Sequence, residues 1–255
     1  MDLFPDRRTI IAVGGLKVYW YGFLYVLGFL SALYLLPRLQ KYRQIVLSSD
    51  QWVIGLTWIA AGVLIGGRLG YVLLYDPMYF FNHPEEIIAI WSGGMASHGG
   101  FIGVALALLY ISRRFKIPFL ALTDIAVIPA ALGLAFGRIG NFINQELSGT
   151  IINASGERHP WALYAAAKDV CVAAVSYVTL RKITTRGYPT AVFLISYSFI
   201  RFWLEFLREP VHVIFVIKKV PVTEEQLLTL LVFVLGVGLL CVLSQQQKVP
   251  PPSAC

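Results

Sequence analysis

Seven ionisable side chains stand inside long apolar runs of this chain: Arg68, Asp124, Arg138, Lys168, Asp169, Arg201 and Glu205. His98 stands near the start of another such run. Charges in such places are costly and mark functional sites by default. The types suggest a chemistry. A guanidinium presents a planar fork of donors that matches phosphate or carboxylate oxygens. A neutral imidazole accepts a proton. The spacing adds to this. Tyr197, Arg201, Glu205 and Arg208 fall at i, i+4, i+8 and i+11, one stripe of a helix, with Phe199, Phe202, Trp203 and Phe206 between them to face lipid. GRIGNFINQE puts Arg138, Asn141 and Gln145 on one face. Gly66 and Gly67 precede Arg68, and Tyr71 and Tyr75 share its face. SHGGFIG puts His98 before two glycines.

Plainer readings compete at each place. Arg201 and Glu205 also fit a structural ion pair. Gly133, Gly137 and Gly140 fit a small-residue face for helix packing. Arg68 also fits a side chain snorkelling to headgroups. Lys168 and Asp169 read as a local polar contact rather than a site. No second His, Cys or carboxylate stands at metal-ligand spacing, and Cys171, Cys241 and Cys255 have no redox spacing, so neither a metal nor a cofactor is expected.

The elements that must position these groups are membrane helices. Of 255 residues, 57% are hydrophobic and 14% charged, far from a soluble domain and incompatible with disorder. Seven apolar segments are long enough to cross a bilayer: Val18–Leu36, Trp52–Tyr75, Gly93–Ile111, Phe119–Ile143, Trp161–Leu180, Pro189–Leu207 and Gln226–Ser244. The first carries no charge and exceeds a signal-peptide core, so it reads as a retained span. The segments do not alternate as barrel strands do. The fold class is therefore all-α: a polytopic membrane protein with seven transmembrane helices. Residues 1–248 read as a single membrane domain with short outer loops, and 249–255 as a disordered tail. VHVIFVIKKVPV reads as a surface hairpin, Thr223 with Gln226 as a capping box, and NHPEEIIAIW as a short interfacial helix.

Orientation follows from the basic loops. Arg38, Lys41 and Arg43 follow span 1; Arg113, Arg114 and Lys116 follow span 3; Arg181, Lys182 and Arg186 follow span 5. These loops are cytoplasmic, the N-terminus is outside and the C-terminus inside. Arg7, Arg8, Lys17, Lys218 and Lys219 oppose this assignment. The net charge of +7 then reflects cytoplasmic loops, not a nucleic-acid partner. With this topology Tyr21, Arg68, His98, Arg138, Arg201, Glu205 and Arg208 all fall at the depth of the outer leaflet, and Asp124 alone lies on the inner side. Such a convergence suits an anionic lipid headgroup. An enzyme acting on that lipid and a transporter or flippase for an anionic lipid or solute both fit. A transporter should also show repeat symmetry or an inward-facing site, and a purely structural protein would not need His98.

Residues 137–149, GRIGNFINQELSG, resemble the signature G-R-x-G-N-F-x-N-x-E-x-x-G of the prolipoprotein diacylglyceryl transferase family. YWYG at 19–22, GGRLGY at 66–71, GGMASHGGFIG at 93–103 and YSFIRFWLEFLREP at 197–210 agree in the expected order. Two features depart. The outer region between spans 4 and 5 is short, and the usual H-P-S-Q-L-Y-E segment is HPWALYA here, with Trp161, Ala162 and Ala165 replacing Ser, Gln and Glu. The resemblance implies a multi-pass protein of the bacterial cytoplasmic (inner) membrane. It implies transfer of the diacylglyceryl group of phosphatidylglycerol to the lipobox cysteine of a preprolipoprotein, with release of glycerol 1-phosphate. The implied partners are phosphatidylglycerol, preprolipoprotein signal peptides and membrane lipids. Arg138 and Arg201 match the phosphate-handling arginines and His98 the candidate base. Tyr21, Arg68, Asn141, Glu146, Gly149, Tyr197, Glu205 and Arg208 are the implied substrate-binding positions.

Overall fold

The computed structural model describes residues 8–13, 16–90, 93–211, 213–217 and 220–246; the side chains of 13, 16, 97, 98, 217, 220 and 246 lie outside that description. The expected tail at 249–255 is outside it too, as are Arg7, Lys218 and Lys219. The described chain is dominated by helices and falls into two compact units, Met1–Arg43 with Asp124–Cys255, and Gln44–Thr123.

The larger unit opens with a hairpin that the sequence reading missed, β1 (Thr9–Val13) paired antiparallel with β2 (Leu16–Tyr19). Helix α1 (Trp20–Leu39) follows directly and tightens into a 3-10 turn at Gln40–Arg43. The smaller unit holds α2 (Ser49–Leu74), α3 (Pro77–Asn82) and α4 (Ser97–Arg114). Helix α5 (Phe119–Ile143) returns the chain to the larger unit, which continues with α6 (Trp161–Lys182) and α7 (Tyr188–Leu204). A hairpin of β3 (Val213–Ile217) and β4 (Val220–Thr223) leads into α8 (Glu224–Gln246). The expected hairpin and capping box are present: the Thr223 N–H donates to Gln226 Oε1 at 3.0 Å, and the Gln226 N–H to Thr223 Oγ1 at 3.3 Å. The expected interfacial helix is a 3-10 segment, Pro84–Ile88, preceded by α3.

Six helices among the described residues are long and apolar enough to cross a membrane: α1, α2, α5, α6, α7 and α8. The third expected segment is α4. It has 18 residues, begins Ser97–His98 and ends Arg113–Arg114, which leaves it a shorter apolar stretch than the others.

Within the smaller unit, α2 and α4 pack backbone to backbone. A methyl group on Gly66 would collide with the Gly99 carbonyl, and one on Gly103 with the Gly62 carbonyl. Small residues allow this close approach where lipid supplies no hydrophobic drive between helices. Within the larger unit, α6 packs on α7 and α7 on α8. Ala131, Val172 and Ala173 form a buried cluster there, covered by Leu132, Phe193, Tyr197 and Ile200. Gly236 of α8 faces Ile195, where a methyl group would come within 2.9 Å of its Cγ1. The small-residue face read at Gly133, Gly137 and Gly140 is used in part: a methyl group on Gly28 of α1 would come within 3.4 Å of the Gly133 Cα, Gly140 makes room for the Tyr21 ring, and a methyl on Gly137 meets nothing within 4 Å.

Asp124 has a complete set of partners within the larger unit. Its carboxylate accepts from Arg43 Nε at 2.7 Å, the Gly187 N–H at 2.8 Å, the Thr190 N–H at 3.1 Å and Thr190 Oγ1 at 2.7 Å. Arg43 also donates to the Ile183 carbonyl at 3.1 Å. This knot ties the end of α1 to α5 and to the turn between α6 and α7, where Gly187 (φ 94°) adopts a left-handed conformation open to glycine.

Candidate active site

In the larger unit the site is built around the C-terminal end of α7. The α-helix stops at Leu204 and Glu205–Leu207 continue as a 3-10 turn, so Arg208 lies in extended backbone rather than on a continuous helical stripe. Tighter 3-10 winding turns the later residues away from the i+11 position that an α-helix predicts. Glu205 nevertheless holds both arginines. Its Oε2 pairs with Arg201 Nη1, and its Oε1 lies 3.3 Å from Arg208 Nη1. Arg201 and Glu205 are both buried, and Arg201 Nη2 also lies 3.5 Å from Glu225 in the first turn of α8. Burial pushes the Arg208 guanidinium below its usual range, and Glu205 pulls in the opposite direction. Phe199, Trp203 and Phe206 are exposed, a face suited to lipid.

Helix α5 contributes Arg138 and Asn141. Arg138 Nη1 donates to Asn141 Oδ1 at 3.4 Å, and Asn141 Nδ2 donates to Glu146 Oε2 at 2.8 Å. Asn144 Nδ2 donates to the other Glu146 oxygen at 3.0 Å. Gln145 does not extend this face. The helix ends at Ile143, and Gln145 (φ 57°) and Leu147 (φ 60°) turn the chain through left-handed conformations. Glu146 therefore closes back onto Asn141 from the following turn.

That turn begins a segment stitched to the end of α7. The Thr150 N–H donates to the Leu207 carbonyl at 2.9 Å, and the Glu209 N–H to the Ser148 carbonyl at 3.0 Å. Gly149 bridges Arg208, and a methyl group on it would strike the His159 carbonyl, so only glycine fits this approach. Arg158 locks the seam, donating to the Gly149 carbonyl at 3.0 Å and to Glu209 at 2.8 Å. The short segment between α5 and α6 is thus a brace for Arg208.

Tyr21 is half-buried at the start of α1, its ring beside Gly140 and centred 5.0 Å from that of Tyr25. Tyr197 stacks on Phe193 with centroids 5.7 Å apart. Lys168 pairs with Asp169, as the local contact expected, and its Nζ lies 3.6 Å from the Tyr197 ring centre.

One contact in this group was not anticipated. Trp161, flagged in the sequence only as a departure from a motif, is 1% exposed and lies beside three guanidiniums. Its ring centre is 4.9 Å from the Arg201 guanidinium carbon and 5.4 Å from those of Arg138 and Arg208. The only available signal was a large indole at the start of a span in a chain rich in intramembrane arginines.

Arg68 and His98 belong to the smaller unit. Arg68 is buried, and its guanidinium donates to four carbonyls: Ile87 at 2.8 Å, Gly93 at 2.5 Å, Gly94 at 3.0 Å and Glu86 at 2.6 Å. It clamps this loop instead of snorkelling, and Gly93 and Gly94 (φ 85° and 75°) turn their carbonyls toward it. His98 is the second residue of α4, and its side chain lies outside the described residues.

Six apolar helices among the described residues, each long enough to cross a bilayer, with three guanidiniums gathered on one buried aromatic ring, define a multi-pass helical membrane protein with a cationic centre. The family model for prolipoprotein diacylglyceryl transferase matches residues 8–242, and the chain belongs to that family. Among similar proteins, a phosphatidylglycerol–prolipoprotein diacylglyceryl transferase of Geobacter sulfurreducens is 37% identical over 97% of this chain and 99% of its own length. Proteins of the same name from Nitrosomonas europaea (39% identical, covering 90% of this chain and 87% of theirs) and Rickettsia bellii (36%, 93% and 95%) are also similar.

Proposed function

We propose that the protein transfers the diacylglyceryl group of phosphatidylglycerol to the lipobox cysteine thiol of a preprolipoprotein. The observation that carries this reading is Arg138. It is one of three guanidiniums on the Trp161 ring, and among the described residues it makes no ion pair with a carboxylate. Its open donors suit a phosphate.

The reaction forms one carbon–sulfur bond and breaks one carbon–oxygen bond. The thiolate attacks the glycerol carbon that bears the phosphate ester, and glycerol 1-phosphate departs with the bonding electron pair. The departing phosphate gains negative charge, so Arg138 and Arg201 aimed at it favour the transition state. Glu205 holds Arg201 and Arg208 in place. Tyr21, Asn141, Glu146, Gly149 and Tyr197 bind and frame the substrate. Arg68 enters as a substrate-binding residue through its motif position in GGRLGY, and within its own unit it holds the loop whose carbonyls it binds. His98 enters through its motif position and takes the thiol proton, because a free thiol has a pKa of about 8.5 and needs a base.

In this reading α4 supplies a seventh crossing to a single membrane domain at residues 1–248. The N-terminus is outside, the C-terminus is cytoplasmic, and the chemistry occurs at the outer leaflet of the bacterial cytoplasmic membrane. The three basic loops support this orientation. The transporter alternative finds no support among the relatives, which carry transferase names. Complementation of a bacterium depleted of its own transferase tests the proposal. The wild-type gene should restore lipidated lipoproteins, and failure by a membrane-inserted wild-type protein would count against it.

A further inference from the structure

We propose that Trp161 is the positioning residue of the arginine cluster, a shared cation–π platform that sets where the guanidiniums of Arg138, Arg201 and Arg208 lie. The inference rests on the proposed role of Arg138 and Arg201 at the lipid phosphate.

Three like charges at one spot repel, and Glu205 addresses only two of them, Arg201 and Arg208. Arg138 has one long hydrogen bond, 3.4 Å to Asn141. The indole ring is what all three share, and each guanidinium carbon lies within the roughly 6 Å over which the negative face of an indole attracts a cation. A platform must itself be fixed. Trp161 Nε1 donates to the Leu204 carbonyl at 2.8 Å, at the last residue of α7 before the 3-10 turn that carries Glu205. This bond ties the first residue of α6 to the end of the helix that carries Arg201.

The surroundings fit one large ring. Trp161, Ala162 and Ala165 form a single buried cluster covered by Leu147 and Leu207. These are the three positions at which HPWALYA departs from the usual segment. The departures are thus one packing unit, in which two methyl side chains make room for one indole. A cation held over a ring face keeps N–H groups for other partners, and Arg138 makes no ion pair among the described residues.

The test replaces Trp161 alone with tryptophans carrying one to four ring fluorines, which weaken the negative ring face with little change in shape. Steady-state transfer from phosphatidylglycerol to a lipobox peptide and the thermal midpoint Tm are measured for each. Successive fluorination should lower kcat stepwise, by about tenfold in total, with the peptide KM and Tm unchanged. Trp161→Phe should fall between wild type and Trp161→Leu. A flat kcat across the fluorinated series would overturn the proposal and leave the ring as packing alone. Arg138→Lys, assayed alongside, separates the two claims. Loss of activity there with a flat fluorine series contradicts only the platform, whereas full activity there removes the phosphate role on which the platform depends.

Discussion

Arg43 and Asp124 form a buried ion pair at 2.7 Å between residues 81 positions apart, with side chains 1% and 0% exposed. Removal of either partner strands a buried charge, and such losses are about 3–5 kcal/mol. Asp124→Leu and Arg43→Met should each lower Tm by several degrees in detergent. The double variant should lose less than the sum, because it leaves no charge unpaired. Folded molecules of each should keep wild-type kcat. A double variant as unstable as the sum of the singles would show that the two charges are not coupled.

Arg138→Lys and Arg201→Lys should each lose most activity although charge is kept, since an ammonium cannot reproduce the planar fork. Loss should appear in kcat rather than in Tm for Arg138, which makes no ion pair among the described residues. For Arg201, paired with buried Glu205, some stability should also go. Near-normal kcat in both variants would reduce these arginines to helix anchors.

These two predictions mark what was legible in the sequence. The motifs located Arg138, Asn141, Glu146, Arg201 and Glu205, and their local spacing was enough because each contact is within a turn or two. The apolar segments located the helices, with α4 short of the others. What stayed hidden depended on partners distant in sequence. Asp124 read as a lone inner charge because Arg43 and Thr190 lie far along the chain. Arg68 read as a ligand or a snorkelling side chain because its partners are backbone carbonyls, which carry no residue signature. Arg208 and Gln145 were misplaced because an ideal helix was extended past the points where the chain tightens or turns. The β1–β2 hairpin was missed because its strands are only five and four residues long.

His98→Gln should still bind phosphatidylglycerol but transfer slowly, and a rise in pH toward 8.5 should recover part of the rate, since thiolate then forms without a base. The wild-type rate should rise less over the same interval. A pH–rate profile for His98→Gln parallel to the wild type would remove the base role and leave the transferase reading intact.

Orientation is checked with fused reporters. A periplasm-active enzyme attached after Lys248 should be silent, and one inserted near Asn153, in the exposed turn between α5 and α6, should be active. The reverse pattern would place the arginine cluster on the wrong side of the membrane for the proposed substrates.

The most direct measurement is the mass of a lipobox peptide after incubation with purified protein and phosphatidylglycerol. The account predicts a gain of one diacylglyceryl group on the cysteine, glycerol 1-phosphate released in equal amount, and no gain with a serine in place of that cysteine. An unmodified peptide, with phosphatidylglycerol bound or moved between leaflets by the same folded protein, would contradict the account.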